Sequence, residues 1–121
     1  LSPKILRVVL TKNPALWKKF EVSGQLEFTN KPPKKLLATL KHRGYGEALL
    51  VGGGEINKIF IEKNLIDELW LTIEPVIFGR GKNLFSENKF LADLRLQRVE
   101  RLNKKGTLLL KYSAGKIIRQ N

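Results

Sequence analysis

The chain has no cysteine and no methionine among its 121 residues, and a single histidine. Disulfides, thiolate zinc sites and a cysteine nucleophile are therefore excluded, and most histidine-based metal sites with them, so no metal is expected. Acidic residues are also scarce: 11 Asp and Glu face 23 Lys and Arg, for a formal net charge of +12 and a pI near 10.2. No apolar run approaches the ~20 residues that span a bilayer, and no basic start followed by an apolar stretch suggests a signal peptide. The expectation is a cytoplasmic protein with no membrane partner. Because the chain starts at Leu1 without methionine, and methionine is not normally removed ahead of leucine, a fragment or processed product is expected.

What is present suits one folded domain. The length allows burial of roughly two-thirds of the unfolded surface around one core. The 42% hydrophobic and 28% charged residues are ordinary for a globular chain, so residues 1–121 read as one domain. The positive charge favours anionic partners, either a phosphorylated cofactor or a nucleic acid. Its basic groups (Lys18-Lys19, Lys31, Lys34-Lys35, Lys41 to Arg43, Lys104-Lys105) lack interleaved surface aromatics and any nucleic-acid motif. A plain solvated surface is the competing account, and nucleic acid is the less favoured partner.

Along the chain, Ile5 to Leu10 is apolar on both faces, as a buried strand would be, and stops at Asn13-Pro14. Gln25 to Thr29 alternates like a short strand. Pro32-Pro33 then opens a helix with Leu36, Leu37 and Leu40 on one face and Gly44 as its stop. Glu47 to Val51 reads as a strand, Gly52 to Gly54 as a turn, and Ile56, Ile59 and Phe60 as the apolar face of a second helix ending at Asn64, with Leu65 closing the cap. Asp67 to Gly79 reads as a long strand with Pro75 marking a bulge or edge. The segments flanking Asn103 to Gly106 read as an antiparallel hairpin. The expected class is α/β, with early parallel pairing and an antiparallel end.

A strand, a glycine turn and a helix together present free N–H groups and a positive helix end to an anion, which makes a diphosphate the natural ligand. Neither common nucleotide motif is met. The dinucleotide pattern G-x-G-x-x-G requires glycine where Asn57 stands, and the phosphate-loop pattern fails at Val76. Close packing of a turn is the alternative use of the glycines.

The wider set of residues is more specific. "VGGGEI", Asn64-Leu65-Ile66-Asp67-Glu68-Leu69, and Pro75, Gly79, Gly81, Leu84 and Phe85 together resemble the dihydrofolate reductase-like superfamily. Within it, they are similar to the C-terminal reductase domain of the bifunctional riboflavin-biosynthesis deaminase/reductase and its stand-alone relatives, from about Ile5 to Tyr112.

The resemblance implies a mixed sheet with flanking helices and an NADPH-dependent reductase. Hydride would pass to a pyrimidine-like or pteridine-like ring, as in reduction of 5-amino-6-(5-phosphoribosylamino)uracil. It implies main-chain donors to the cofactor diphosphate at Gly53, Gly54, Glu55 and Ile56, with a cis peptide between Gly53 and Gly54. Thr11 and Lys12 would lie on the adenosine side, Lys12 facing the 2′-phosphate or standing as an exposed turn lysine.

Two departures qualify the match. Gly52 occupies the place where the riboflavin-pathway enzymes carry a substrate-contacting glutamate, which fits the stand-alone relatives better. The strand and helix that open the family's domain have no counterpart here, so a C-terminal fragment that by itself binds cofactor poorly and catalyses little is expected. The resemblance also implies a homodimer, formed through the sheet end.

Among the remaining residues, Glu74 lies inside an apolar strand, where a carboxylate needs a partner, and either faces the substrate pocket or joins a peripheral salt bridge. Asp67-Glu68 reads as surface charge at a helix exit, Trp17 and Trp70 as core or interface, and His42 as exposed. No catalytic acid or base can be singled out. A basic nucleic-acid-binding module and an inactive cofactor-binding remnant remain the alternative functions.

Overall fold

The computed structural model describes residues 4–119, which divide into two compact units, Leu1–Gly46 and Glu47–Asn121. In the first, β1 (Arg7–Leu10) and β2 (Leu26–Thr29) pair in parallel, Arg7 opposite Leu26 and Leu10 opposite Thr29. Two short 3-10 turns, Pro14–Leu16 and Lys18–Phe20, carry the chain from one to the other. Parallel neighbours must start from the same side, so the chain has to double back between them.

Helix α1 (Pro33–His42) begins on proline, whose fixed φ and missing N–H suit the first helical turn. It buries Leu36. At its end the N–H of Tyr45 donates to the carbonyl of Leu40 and that of Gly44 to Lys41, with Gly44 at φ 97°. This pair of hydrogen bonds satisfies carbonyls that the last turn leaves without partners, and it places the stop where the sequence predicts it. Arg43 at the helix end grips Glu27 of β2 through two hydrogen bonds of 2.8 and 2.9 Å. That guanidinium holds the Glu27 carboxyl below the usual carboxylate range.

In the second unit, α2 (Gly54–Glu62) precedes a three-stranded antiparallel sheet in the order β3 (Glu68–Ile73), β5 (Leu108–Arg119), β4 (Phe90–Arg101). The hairpin of β4 and β5 turns at Asn103 to Gly106, as the sequence predicts, and its strands are longer than predicted. Its register shifts between Ala92 and Leu94 and again between Leu96 and Arg98. Asn64 caps α2 in the left-handed region at φ 58°, the N–H of Leu65 reaching the carbonyl of Phe60.

Phe60 and Ile61 form the buried side of α2. The predicted face of Ile56, Ile59 and Phe60 is thus rotated: Ile61 is 3% exposed and Ile59 37%. Ile61 lines an apolar cavity of about 290 Å³ together with Leu69, Phe85, Phe90 and Leu94.

Two predicted strands are corrected. Glu47 to Val51 is not a strand, and among the described residues no ladder reaches it; Val51 is 93% exposed. An extended segment becomes a strand only when a neighbour takes its backbone hydrogen bonds. The strand predicted over Asp67 to Gly79 stops at Ile73, two residues before Pro75, and the N–H of Val76 folds back onto the carbonyl of Glu74. Among the described residues, no helix is long and apolar enough to cross a membrane.

Candidate functional site

The glycine turn is built around the start of α2. Gly53 is the N-cap and Gly54 the first helical residue; no side chain caps this end. The first helical bond runs from the N–H of Asn57 to the carbonyl of Gly53 at 2.9 Å. Among the described residues, the N–H groups of Gly54, Glu55 and Ile56 have no acceptor. Three uncommitted donors at the positive end of a helix dipole suit an anion. Glu55 is acidic in that first turn and also benefits from the dipole.

The cis peptide of this turn joins Gly52 to Gly53, not Gly53 to Gly54 as the resemblance implies. The Gly53-Gly54 bond already leads into the helix, whose repeating backbone requires trans peptides.

Gly54 is glycine for a packing reason. A Cβ there would stand 3.0 Å from the carbonyl oxygen of Asn83 and 3.0 Å from the Ser86 hydroxyl. The Ser86 N–H donates to the Gly54 carbonyl at 3.1 Å, and Asn57 Nδ2 donates to the carbonyl of Leu84 at 2.8 Å. The turn thus rests against residues 83–86, the segment that follows Gly79 and Gly81. Gly52 has φ 97°, and a Cβ on it would come within 3.3 Å of Asn57 Nδ2. A glutamate at position 52 would be strained by this backbone and crowded by that amide.

Thr11 and Lys12 lie in the first unit, at the carboxyl end of β1. The Thr11 N–H donates to the carbonyl of Thr29 at 2.9 Å, so the ends of β1 and β2 lie side by side. Thr11 Oγ1 accepts from the Asn13 N–H and Thr29 Oγ1 from the Lys31 N–H. Ligands of α/β sheets gather at the carboxyl ends of parallel strands. Thr29 and Lys31 therefore join Thr11 and Lys12 as candidates. Reading each strand separately missed them; the signal available was a Thr followed within two residues by Lys at both strand ends.

Glu74 lies just beyond β3, where its Oε2 accepts a 2.8 Å hydrogen bond from Thr107, a hydroxyl residue only 3% exposed. Its observed partner is a hydroxyl, and neither ion pair found among the described residues involves it. Trp17 and Trp70 are 45% and 52% exposed, so neither is core. Trp17 stacks on Phe28 at 6.3 Å, and Trp70 lies under Lys111 Nζ at 4.1 Å. Trp17 and Phe20 also place exposed aromatics beside Lys18 and Lys19, correcting the expectation that the basic groups lack surface aromatics among them. Among the described residues no cluster of His, Asp and Glu could hold a metal.

A glycine turn backed by a loop, a helix and an antiparallel sheet ending in a long hairpin define a dihydrofolate reductase-like α/β fold. A solved structure shares it: a Shewanella sp. PV-4 protein assigned to riboflavin biosynthesis superposes with a TM-score of 0.66 at 22% identity, over 92% of this chain and 59% of that one. The chain belongs to the RibD C-terminal domain family, whose model matches residues 4–108. That family is linked to reductase activity. Two uncharacterized Bacillus subtilis (strain 168) proteins are similar: YyaP is 33% identical over 76 residues and YwjB 33% over 70. The matches cover 63% and 58% of this chain but only 40% of each relative.

Proposed function

We propose that this chain is the cofactor-binding part of an NADPH-dependent reductase that passes hydride to a pyrimidine-type or pteridine-type ring. The observation that carries this reading is the uncapped start of α2, with three unused amide donors behind a glycine turn, in a member of the RibD C-terminal domain family. The amides of Gly53, Gly54, Glu55 and Ile56 are assigned to the diphosphate. Thr11 and Lys12, joined by Thr29 and Lys31, are assigned to the 2′-phosphate, where a lysine acts as a point charge.

The cofactor, when bound, supplies the hydride; the residues of this chain bind and orient it, and no covalent step is asked of them. Glu74 and Gly52 are assigned to the substrate side. Glycine at 52, on a backbone that would strain a glutamate, favours a substrate other than the ribosylaminopyrimidine that a glutamate there would contact. A homodimer in the cytoplasm completes the reading.

Thermal unfolding with each nicotinamide cofactor tests it. Binding to the folded state at 100 times Kd stabilises by about 2.7 kcal/mol, which raises the melting temperature measurably. NADPH is expected to raise it and NADH to raise it less; no shift with either would sink the reading.

A second reading has its own observation. Residues 1–46 hold ten Lys and Arg against two Glu, with Trp17 and Phe20 exposed among them. A nucleic-acid-binding module would show oligonucleotide affinity that falls steeply with salt, and no response to NADPH.

A further inference from the structure

Asn57 stands one turn into α2, at the position where the spaced-glycine dinucleotide motif would require a third glycine. It makes two hydrogen bonds around the turn and bounds the space beside Gly52. Its backbone N–H holds the Gly53 carbonyl at 2.9 Å. Its side-chain Nδ2 donates to the carbonyl of Leu84 at 2.8 Å. The same Nδ2 would lie 3.3 Å from a Cβ on Gly52, so the amide packs against that glycine's open face. One residue therefore bonds the glycine that caps the helix and the segment that backs the turn, and it fills the space a side chain at Gly52 would need.

We propose that Asn57 is a positioning residue: by tying the glycine turn to residues 84–86, it fixes the direction of the free amides and so sets the affinity for the diphosphate bridge of a dinucleotide. The inference rests on the cofactor reading above. Neither ring of the dinucleotide is involved. A turn made of successive glycines has few barriers of its own, so its amides stay aligned only if something outside it holds them. The Ser86 N–H on the Gly54 carbonyl supplies one such hold and the Asn57 side chain the other. An aspartate at 57 keeps the size of asparagine, loses the donor to Leu84 and sets a carboxylate against a carbonyl oxygen.

The test compares the full chain with Asn57→Asp and Asn57→Ala, titrating NADPH and adenosine 2′-monophosphate, which carries neither phosphate of the diphosphate bridge. Both variants are expected to bind NADPH about tenfold more weakly, the loss of one well-made hydrogen bond, and the monophosphate within about twofold of the wild type. A purely structural role would weaken both ligands alike, and a parallel loss or unchanged NADPH affinity overturns the proposal. A wild type that binds neither ligand overturns the cofactor reading instead. Amide hydrogen exchange then decides the anchor without any ligand: faster exchange at Ser86 in Asn57→Asp supports the tie, and unchanged exchange there overturns it.

Discussion

The backbone N–H of Thr11 donates to the carbonyl of Thr29 at 2.9 Å, so two parallel strands end level and the chain leaves both at one edge. Each exit carries a threonine and, within two residues, a lysine. If that edge receives a 2′-phosphate, Lys12→Ala should weaken NADPH binding by about tenfold, or about 1.4 kcal/mol, and leave NADH unchanged. Parallel titrations with the two cofactors check this, and an equal loss for both would refute the assignment of Lys12.

Gly54→Ala should destabilise the protein although alanine is the better helix former. The helical gain is at most about 1 kcal/mol, while forcing a methyl against a fixed carbonyl costs about 1–3 kcal/mol. The carbonyl cannot easily retreat, because Leu84 and Ser86 on its far side are hydrogen bonded to Asn57 and Gly54. A net loss of about 1 kcal/mol is expected in urea unfolding. Gly46→Ala, where a Cβ meets nothing within 4 Å, is the control and should be neutral or mildly stabilising.

The Glu27 and Arg43 pair sets a pH dependence. Glu27 has its pKa lowered in the fold by the hydrogen bonds from Arg43, from an ordinary value of 4.5. A depressed carboxylate stabilises fully above its unfolded pKa, and that contribution fades as pH falls through the folded one. The melting temperature of Glu27→Gln should therefore lie below that of the wild type at pH 7, with the gap closing as pH falls below about 4.5. High salt should narrow the gap as well, since both side chains are partly exposed.

Thr107 is the buried hinge of a small polar network, donating to Glu74 at 2.8 Å and accepting from Asn103 Nδ2 at 2.9 Å. Thr107→Val keeps the shape and removes both bonds, which should cost about 1–2 kcal/mol in denaturant unfolding. Thr107→Ser should recover most of that loss.

The sequence announced what local chemistry decides. The proline start and glycine stop of α1, the Asn64 cap and the Gly106 turn depend on a few adjacent residues, and each stands where the pattern put it. Features that depend on a neighbour were harder to see. Glu47 to Val51 has strand composition but no ladder, and Ile61 took the buried place expected of Ile59 because the packing surface, rather than the periodicity, chose the face. The same holds at the candidate site. The need for glycine at 54 comes from Asn83 and Ser86, about thirty residues away, and Thr29 joins Thr11 only once the strands pair. The family pattern marked the glycine turn correctly and put its cis bond one residue too late.

Asn64 ends α2 with its backbone and also receives the N–H of Ile117 on its side-chain oxygen at 3.4 Å. Glycine would close the helix equally well, but it could not reach β5. This contact constrains the length of the helix as well as its ending. One residue inserted into α2 would advance everything after it by about 100° and 1.5 Å, swinging Asn64 away from the strand and turning Phe60 and Ile61 off the core. Among relatives of this chain, the number of residues between Gly54 and Asn64 is thus expected to stay fixed.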